Sequence, residues 1–228
     1  MSAIKDPHLV RDRRRRLVRA AMAVFVRKGY HRATVRDIGR EGGFTQGTIY
    51  NYVRSKADIL YLVCEEVVAA YHEAVRRAIG GIEDPRRRLQ AALRAVVEVM
   101  QDRQDQILLL YHESHALDRA ALRAILSRVE EFIRTFEAMV AAARPAGVVT
   151  PRRLRLVANI VTFLPTMVAL RRWDLDRRLP RSEVAAGLTE FMMRGLGLTD
   201  GRLAAARTDG AAGGDRVRPR RRDRGGEP

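Results

Sequence analysis

The chain has 228 residues, 46% of them hydrophobic, so it is long and apolar enough to fold as a globular protein with a sizeable core. Its formal net charge of +16 excludes a surface that is neutral overall and indicates a partner with many negative charges. Most of the excess lies in residues 1–60, which contain 14 Lys/Arg against 5 Asp/Glu, so the search for that partner's binding site starts at the N-terminal part.

Apolar residues recur every three or four positions and no strand-like alternation persists, which predicts an all-α protein of about nine helices. Capping residues, prolines and glycines bound the predicted helices. Three helices of a small head and a long connecting fourth helix cover residues 6–29, 34–43, 45–53 and 55–81. The helices of a larger body cover 84–100, 104–117, 118–145, 150–168 and 182–195. Pro165 is expected to bend the eighth of these helices.

Three segments of different character divide the chain. We expect a helix-turn-helix DNA-binding domain at 1–56, a helical effector-binding and dimerisation domain at 57–200, and a disordered Gly/Arg-rich tail at 201–228. The lone cysteine, Cys64, excludes an intrachain disulfide and is expected to fill the core. The N-terminus lacks the apolar region of a signal peptide, and the most apolar stretch, 157–170, is shorter than the ~20 residues of a membrane span. We therefore expect a cytoplasmic protein that does not contact a membrane.

The segment 34–60 has the features of a helix-turn-helix, in which one helix crosses the DNA backbone and the next places its N-terminal half in the major groove. Gly42 and Gly43 allow a tight turn, and Thr45 caps the second helix. The residues after this cap are small and polar, so the backbone can approach a duplex closely and offer its free N–H groups to phosphate.

Side-chain chemistry indicates how this segment would read DNA. Gln46 can pair with an adenine edge, Thr48 can contact a base through its hydroxyl or methyl group, and Arg36 can reach guanine or phosphate. Lys56 lies in the first turn of the fourth helix, where a cation opposes the helix dipole. Its position is explained if a DNA phosphate lies opposite.

The segment resembles the DNA-binding head of the TetR family of bacterial transcriptional regulators. The resemblance is carried by Leu17, Ala20, Ala21, Phe25, Gly29, Tyr30, Thr34, Asp37, Ile38, Gly43, Gly47, Thr48, Ile49, Tyr50, Tyr52, Ser55, Lys56, Asp58, Ile59 and Leu60. It implies a base-proximal set of Gln46, Gly47, Thr48, Tyr50 and Asn51 and a phosphate-binding set of Thr34, Thr45, Tyr52 and Lys56, with Arg36 able to do either. Gly39 and Gly42 stand where the family usually has alanine. Since a glycine within a helix costs about 1 kcal/mol relative to alanine, we expect a looser head.

The resemblance also implies a homodimer that pairs through the last two helices and binds an imperfect palindrome. Small or apolar residues at helical spacing suit such pairing, because they let the helices of two chains approach closely. The predicted dimer residues are Ala158, Val161, Ala169, Val184, Ala185 and Leu188. The alternative is that these faces only fill the core of the monomer.

In the family, the middle helices enclose an effector pocket. Polar and aromatic residues set among apolar ones predict its lining: Tyr111, His112, His115, Asn159, Phe163 and Trp173. The alternative for each is a satisfied core polar group or a surface side chain. We expect a small, largely apolar effector, of the fatty-acid or acyl-thioester type.

His112, Glu113 and His115 also invite interpretation as a metal site, but zinc sites need further ligands and none is visible in the sequence. We therefore expect neither a metal nor a cofactor. The chain also lacks a nucleophile elbow, a phosphate loop and a paired-carboxylate motif, so we expect no enzyme activity in the helical pocket. The leading hypothesis is a ligand-responsive repressor released from a palindromic operator. A constitutive DNA-binding protein that senses no ligand is the main alternative, and an enzyme is a more remote one.

Overall fold

The computed structural model describes residues 7–143 and 149–198, and within these ranges the chain is helical and contains no strand. The α-helices are α1 (Pro7–Lys28), α2 (Val35–Gly42), α3 (Gln46–Tyr50), α4 (Lys56–Ala78), α5 (Pro85–Asp102), α6 (Gln104–Glu113), α7 (Arg119–Ala143), α8 (Leu154–Phe163), α9 (Met167–Leu170), α10 (Arg172–Arg178) and α11 (Arg181–Gly195). Short 3₁₀ turns occupy Ser114–Ala116, Pro151–Arg153 and Leu164–Thr166. The all-α prediction is confirmed. The predicted cap at Asp6, the predicted helix end at residues 144–145 and the predicted tail at 201–228 lie outside the described residues.

The helices α3 and α6 end earlier than predicted, at Tyr50 and Glu113, and two further regions differ more strongly from the prediction. The single helix expected at 150–168 is divided into α8 and α9 by the 3₁₀ turn that contains Pro165, because proline cannot donate the backbone hydrogen bond that a continuous helix needs there. The connection expected after residue 172 is instead the short helix α10. An ion pair at 2.6 Å between Asp174 and Arg178, one helical turn apart, supports α10.

Two apolar clusters form the interior of the described part of the chain, and α4 contributes to both. Ile59, Leu60 and Cys64 pack with the buried residues of α1, α2 and α3. One to two turns further along α4, Val67 and Tyr71 pack into the larger cluster of the body. The connecting helix therefore belongs to the core of the head at one end and to the core of the body at the other.

Cys64 is fully buried in the head cluster, as predicted. Burial raises the pKa of its thiol to about 12, so it is held as an unreactive thiol at neutral pH.

Charged side chains reinforce the junction between head and body. The carboxylate of Glu65, on α4, pairs with Arg14 of α1 and, at 3.2 Å, with Arg128 of α7. Leu117 and Ile125 extend the head cluster to the start of α7. Head and body are thus joined by apolar packing as well as by a shared carboxylate.

Candidate DNA-binding site and interior cavity

The first helix of the helix-turn-helix is fixed at its N-terminus by a reciprocal cap. The Thr34 hydroxyl accepts a hydrogen bond from the Asp37 N–H at 3.1 Å, while the Asp37 carboxylate accepts bonds from the N–H and the hydroxyl of Thr34. Lys28 also donates to Asp37, at 2.7 Å. The hydrogen bonds from Lys28 and then from Thr34 lower the pKa of Asp37 to about 2, so this carboxylate is ionised at neutral pH.

The turn between α2 and α3 is tight because glycines permit it. Gly43 has a φ of +64°, a left-handed conformation that favours glycine. A Cβ atom on Gly39 would lie 2.9 Å from the carbonyl oxygen of Phe44, and one on Gly42 would lie 2.7 Å from the Phe44 ring. The lack of a side chain at these glycines lets the turn pack closely against α2, and the expectation that they loosen the head stays a prediction.

The short helix α3 presents most of the predicted base-proximal residues to solvent. Ile49 is buried against the head core and fixes the orientation of the helix. As a result Gln46, Gly47, Tyr50 and Asn51 are exposed, and Thr48 is half-buried. Thr45 caps the helix by accepting from the Thr48 N–H at 3.1 Å, and the two threonine hydroxyls lie 2.8 Å apart. Tyr50 and Asn51 also line a groove with Tyr61 of α4 and Ala121 of α7, whereas Gln46 and Gly47 are not part of that groove.

Lys56 is placed differently from its prediction. Its ammonium group donates hydrogen bonds to the carbonyl oxygens of Tyr30, His31 and Ala33 at 2.8, 3.0 and 2.9 Å, and it lies 4.5 Å from the centre of the Tyr30 ring. An ammonium group has three N–H donors, so all of them are used. The prediction that Lys56 binds phosphate is therefore corrected: this lysine secures the turn between α1 and α2.

Arginines of α1 flank the helix-turn-helix and were not among the predicted DNA contacts. Arg13 donates to the hydroxyl of Tyr52 at 3.4 Å, so this tyrosine lies between α1 and α3 and does not simply face outward. The guanidinium of Arg16 lies 5.1 Å from the centre of the Phe44 ring, beside the turn. The run of four arginines at 13–16 was the available sequence signal, but a charge run does not reveal which of its members lie beside a DNA-reading helix.

A cavity of about 190 Å³ lies in the body between α4 and helices α5 to α8. Three of the predicted pocket residues, Tyr111, Asn159 and Phe163, line it. The other lining residues are Val68, Tyr71, Met100, Leu110, Val129, Phe132, Ile133, Thr162 and Thr166. The predictions for His112, His115 and Trp173 are corrected, because these side chains do not line the cavity. The three that do are partly exposed, so the cavity opens to the surface of the single chain.

Tyr71 is one of the cavity residues that the sequence did not predict. Its side chain is buried and forms no hydrogen bond within the described ranges, and burial raises the pKa of its hydroxyl. In the sequence it lies four residues from Val67 and from Val75, a spacing typical of the buried face of a helix. In the fold it gives the largely apolar cavity a neutral hydroxyl group that a ligand could bind.

The predicted dimer residues face inward. Ala158, Val161, Ala169, Val184, Ala185 and Leu188 are all buried within the single chain. The prediction that they form the dimer interface is wrong, because they pack α8, α9 and α11 onto the body's own core.

The opposite side of this region carries exposed, large apolar residues at alternating spacings of four and three: Leu156, Ile160, Phe163, Met167 and Leu170. Ile160 also lines a groove with Phe191 of α11, and these two side chains are 50% and 66% exposed. We call these five residues together with Phe191 the apolar stripe. By length and hydropathy alone, the segment Pro151–Leu170 that carries most of it is the one described segment that could cross a membrane.

Comparisons with known proteins agree with this arrangement. The profile of the bacterial regulatory proteins of the tetR family matches residues 17–61, and that of the Tetracyclin repressor-like C-terminal domain matches residues 83–196. The HTH-type transcriptional regulator HbdR of Aromatoleum sp. (strain CIB) is 30% identical over 183 residues, which are 80% of each protein. The chain belongs to the TetR family. FasR, an HTH-type transcriptional activator of Mycolicibacterium smegmatis, is 24% identical over 82% of this TetR-family chain and 85% of its own.

Solved structures show the same fold. A tetR-family regulatory protein from Rhodococcus RHA1 superimposes with a TM-score of 0.72 over 82% of this chain and 98% of its own, at 23% identity. AibR, in complex with isovaleryl coenzyme A and operator DNA, gives 0.66 over 78% and 97%, at 19% identity. The present TetR-family protein is a DNA-binding helix-turn-helix transcriptional regulator, as predicted. Its family consists of regulators that bind operator DNA and dimerise, and these are not enzymes.

Proposed function

We propose that this protein is a cytoplasmic, homodimeric repressor that releases its palindromic operator when a small apolar effector enters the interior cavity. The observation that carries the proposal is the path of α4. This helix begins six residues after α3 ends and also provides Val68 and Tyr71 to the cavity wall. A ligand in the cavity therefore touches the element that positions the reading head.

In the proposed complex, the N-terminal part of α3 enters the major groove. Gln46, Gly47, Thr48, Tyr50 and Asn51 would lie near the bases, where an amide, small groups and a phenol can reach the base edges. Thr34, Thr45, Tyr52, Arg36 and two arginines of α1, Arg13 and Arg16, would hold phosphates on either side. Lys56 is not in this set, because its donors are already used within the head.

The apolar stripe supports the homodimer. Exposed large apolar residues in one continuous row are typical of a surface that another protein covers. Two copies paired through α8 and α11 would present two α3 helices, which must be about one helical turn of DNA apart to reach two half-sites. The stripe thereby explains why the segment Pro151–Leu170 is so apolar on its outer face.

The size and polarity of the cavity favour a short acyl group as the effector. Its volume of about 190 Å³ is below the ~300–1,000 Å³ of typical ligand pockets, so a long fatty acid does not fit without rearrangement. The Tyr71 and Tyr111 hydroxyls and the Asn159 amide can orient a carbonyl or thioester, while Phe132 and Phe163 enclose its carbon chain. A carrier such as coenzyme A would have to remain outside the cavity.

Coupling follows from contact with α4. An acyl group in the cavity touches Val68 and Tyr71, so its binding would favour a different position of α4, and α4 carries that displacement to the head. The bound effector then favours a spacing of the heads that does not match the operator. A coupling free energy of about 1–3 kcal/mol would lower operator affinity roughly 5- to 150-fold.

The test begins with operator sites selected from genomic fragments by the purified protein. Operator affinity is then measured with acyl thioesters of increasing chain length. We expect short or branched acyl groups to lower the affinity within the range above, and long chains to act more weakly. Tyr71→Phe should weaken the effect of the ligand while leaving affinity for the free operator unchanged, and the exposed His112→Ala serves as the matched control. If no member of the series alters operator binding, the protein is a constitutive binder or senses another ligand class.

A further inference from the structure

Three metal-ligating side chains from head and body meet where the two parts join. His31 belongs to the turn between α1 and α2, Glu113 ends α6, and His115 lies in the 3₁₀ turn that follows. One ligand atom from each residue lies within 4.8 Å of the other two. The shortest separation, between Nε2 of His31 and Oε2 of Glu113, is 3.1 Å. The fold therefore brings together groups that are far apart in sequence.

One oxygen of this cluster lacks a hydrogen-bond partner. Oε2 of Glu113 is buried and has no hydrogen bond within the part of the chain that the structure describes. It lies close to the His31 ring, but the two groups are not aligned as donor and acceptor. Leaving a buried carboxylate oxygen without a hydrogen bond is unfavourable, so this atom is well placed to bind a cation.

We infer that His31, Glu113 and His115 bind a divalent transition-metal ion of the zinc class. Two imidazoles and one carboxylate form a ligand set that zinc accepts, with a water in the fourth position. Bond lengths of about 2.0–2.2 Å place neighbouring ligand atoms of a tetrahedral site roughly 3.3 Å apart. The cluster needs to contract by about 1.5 Å at most. Both histidines are exposed, His31 by 72% of its side chain, so their rings can rotate inward and water can reach the ion.

The bound ion would connect the head to the body. Lys56 already holds the same turn through the carbonyl oxygens of Tyr30, His31 and Ala33. Coordination by His31 would add a second attachment, from that turn to the end of α6. The sequence motif 112–115 could not show this, because the third ligand comes from the head and the neighbouring His112 is not part of the cluster.

The inference is tested on the full-length chain, free of tag histidines and stripped of metal by a chelator. Zn²⁺ is titrated calorimetrically, and Co²⁺ is used to record the absorption bands of a tetrahedral site. We expect one ion per chain, with Mg²⁺ failing to compete because it prefers six oxygen ligands. His31→Asn, Glu113→Gln and His115→Asn should each weaken binding at least tenfold. His112→Asn, an exposed neighbour outside the cluster, should bind as the wild type does.

Thermal unfolding provides a second readout that needs no DNA and does not depend on the proposed effector. Zn²⁺ should raise the unfolding midpoint of the wild type and of His112→Asn, and should leave the three ligand variants unchanged. The inference is overturned if Zn²⁺ fails to bind, if the ligand variants retain binding, or if His112→Asn loses it equally. It is also overturned if the only effect of the variants is on the pH dependence of stability, since the cluster would then be an ion pair between protonated imidazole and Glu113.

Discussion

The position of Lys56 in the sequence is compatible with two different partners for its ammonium group, a DNA phosphate or a set of backbone carbonyl oxygens. Near the N-terminus of a helix a lysine is electrostatically unfavourable, so it requires a compensating partner. A DNA phosphate and a group of backbone carbonyls are equally suitable partners for an ammonium group, and the sequence does not distinguish them. The fold does, because the turn at residues 30–33 directs three carbonyl oxygens at the lysine.

Replacing Lys56 should therefore affect the stability of the head more than the electrostatics of DNA binding. Lys56→Met keeps the aliphatic part of the side chain and removes three hydrogen bonds from a charged donor, so we expect a loss of about 2–3 kcal/mol in the free energy of unfolding. Urea unfolding measures this loss. The dependence of operator affinity on salt concentration should keep the slope of the wild type.

Arg36→Ala is the contrasting variant. Arg36 is exposed at the start of α2, so its loss should leave stability nearly unchanged and reduce the salt slope by about one if it neutralises a phosphate. A reduced salt slope in Lys56→Met, without loss of stability, would restore the phosphate interpretation and contradict the geometry described above.

At the scale of elements, the packing of α2 against α3 depends on the absence of a side chain at Gly39. A Cβ atom there would lie 2.9 Å from the Phe44 carbonyl oxygen and 3.2 Å from Cδ1 of Ile49. The first of these neighbours is backbone and cannot rotate away. Gly39→Ala should gain about 1 kcal/mol from helix propensity but lose about 1–3 kcal/mol from overpacking, so a net destabilisation is expected in urea unfolding.

Gly47→Ala provides the control for this prediction. Apart from its chain neighbours and the backbone of its own helix, no described atom lies within 4 Å of a Cβ built on Gly47, which is exposed in α3. The variant should be as stable as the wild type or slightly more stable, yet bind operator less tightly, since the added methyl group faces the proposed duplex. If both glycine variants lose the same amount of stability, the contact with the Phe44 carbonyl oxygen does not cause the loss in Gly39→Ala.

Local signals predicted most helix boundaries, because the groups that end a helix lie next to it in sequence. Thr34, Thr45, Ser55 and Asp84 each cap the helix that the sequence assigned to them. The exposed face of α3 could be predicted in the same way. Ile49 is the buried residue of this short helix, so the polar residues on its other sides must face outward.

The dimer face was not accessible in this way. The segment 154–170 is apolar on more than one side, so its periodicity cannot say which side the chain itself covers. Small residues were assigned to the interface between chains, but they are needed inside, where α8 and α9 approach the core closely. Three of the predicted pocket residues do line the cavity. The rest of its wall and the His31 cluster could not be predicted, because each brings together residues that are distant in sequence and meet only in the folded chain.

At the scale of the whole molecule, the single helix α4 connects the DNA-binding head to the cavity in the body. α4 contributes Cys64 to the core of the head and Tyr71 to the cavity. Glu65 adds charged contacts from the same helix to α1 and α7. A displacement of α4 therefore cannot be absorbed by a flexible linker and must shift the head.

The proposed homodimer, in which a shift of α4 would change the spacing of the two heads, can be tested by substitutions in the apolar stripe. Ile160→Glu combined with Phe191→Glu places two carboxylates on the exposed face without disturbing buried contacts, so the chain should remain folded. If two copies pair through this face, burying those charges is strongly unfavourable and the dimer should dissociate. Sedimentation or light scattering should give a monomer mass, with an unchanged helical circular dichroism spectrum. Leu126→Glu, at a similarly exposed apolar position on α7 outside the stripe, should remain dimeric.

DNA binding by the double variant distinguishes loss of the dimer from damage to the DNA-binding head. A monomer has one α3 and can occupy one half-site, so the double variant should lose most of its affinity for the complete palindrome while keeping the wild-type base preference within a half-site. Loss of base preference together with affinity would mean that the substitutions had disturbed the head. A double variant that stays dimeric would show that the chains pair through another surface, and the exposed stripe would then need a different partner.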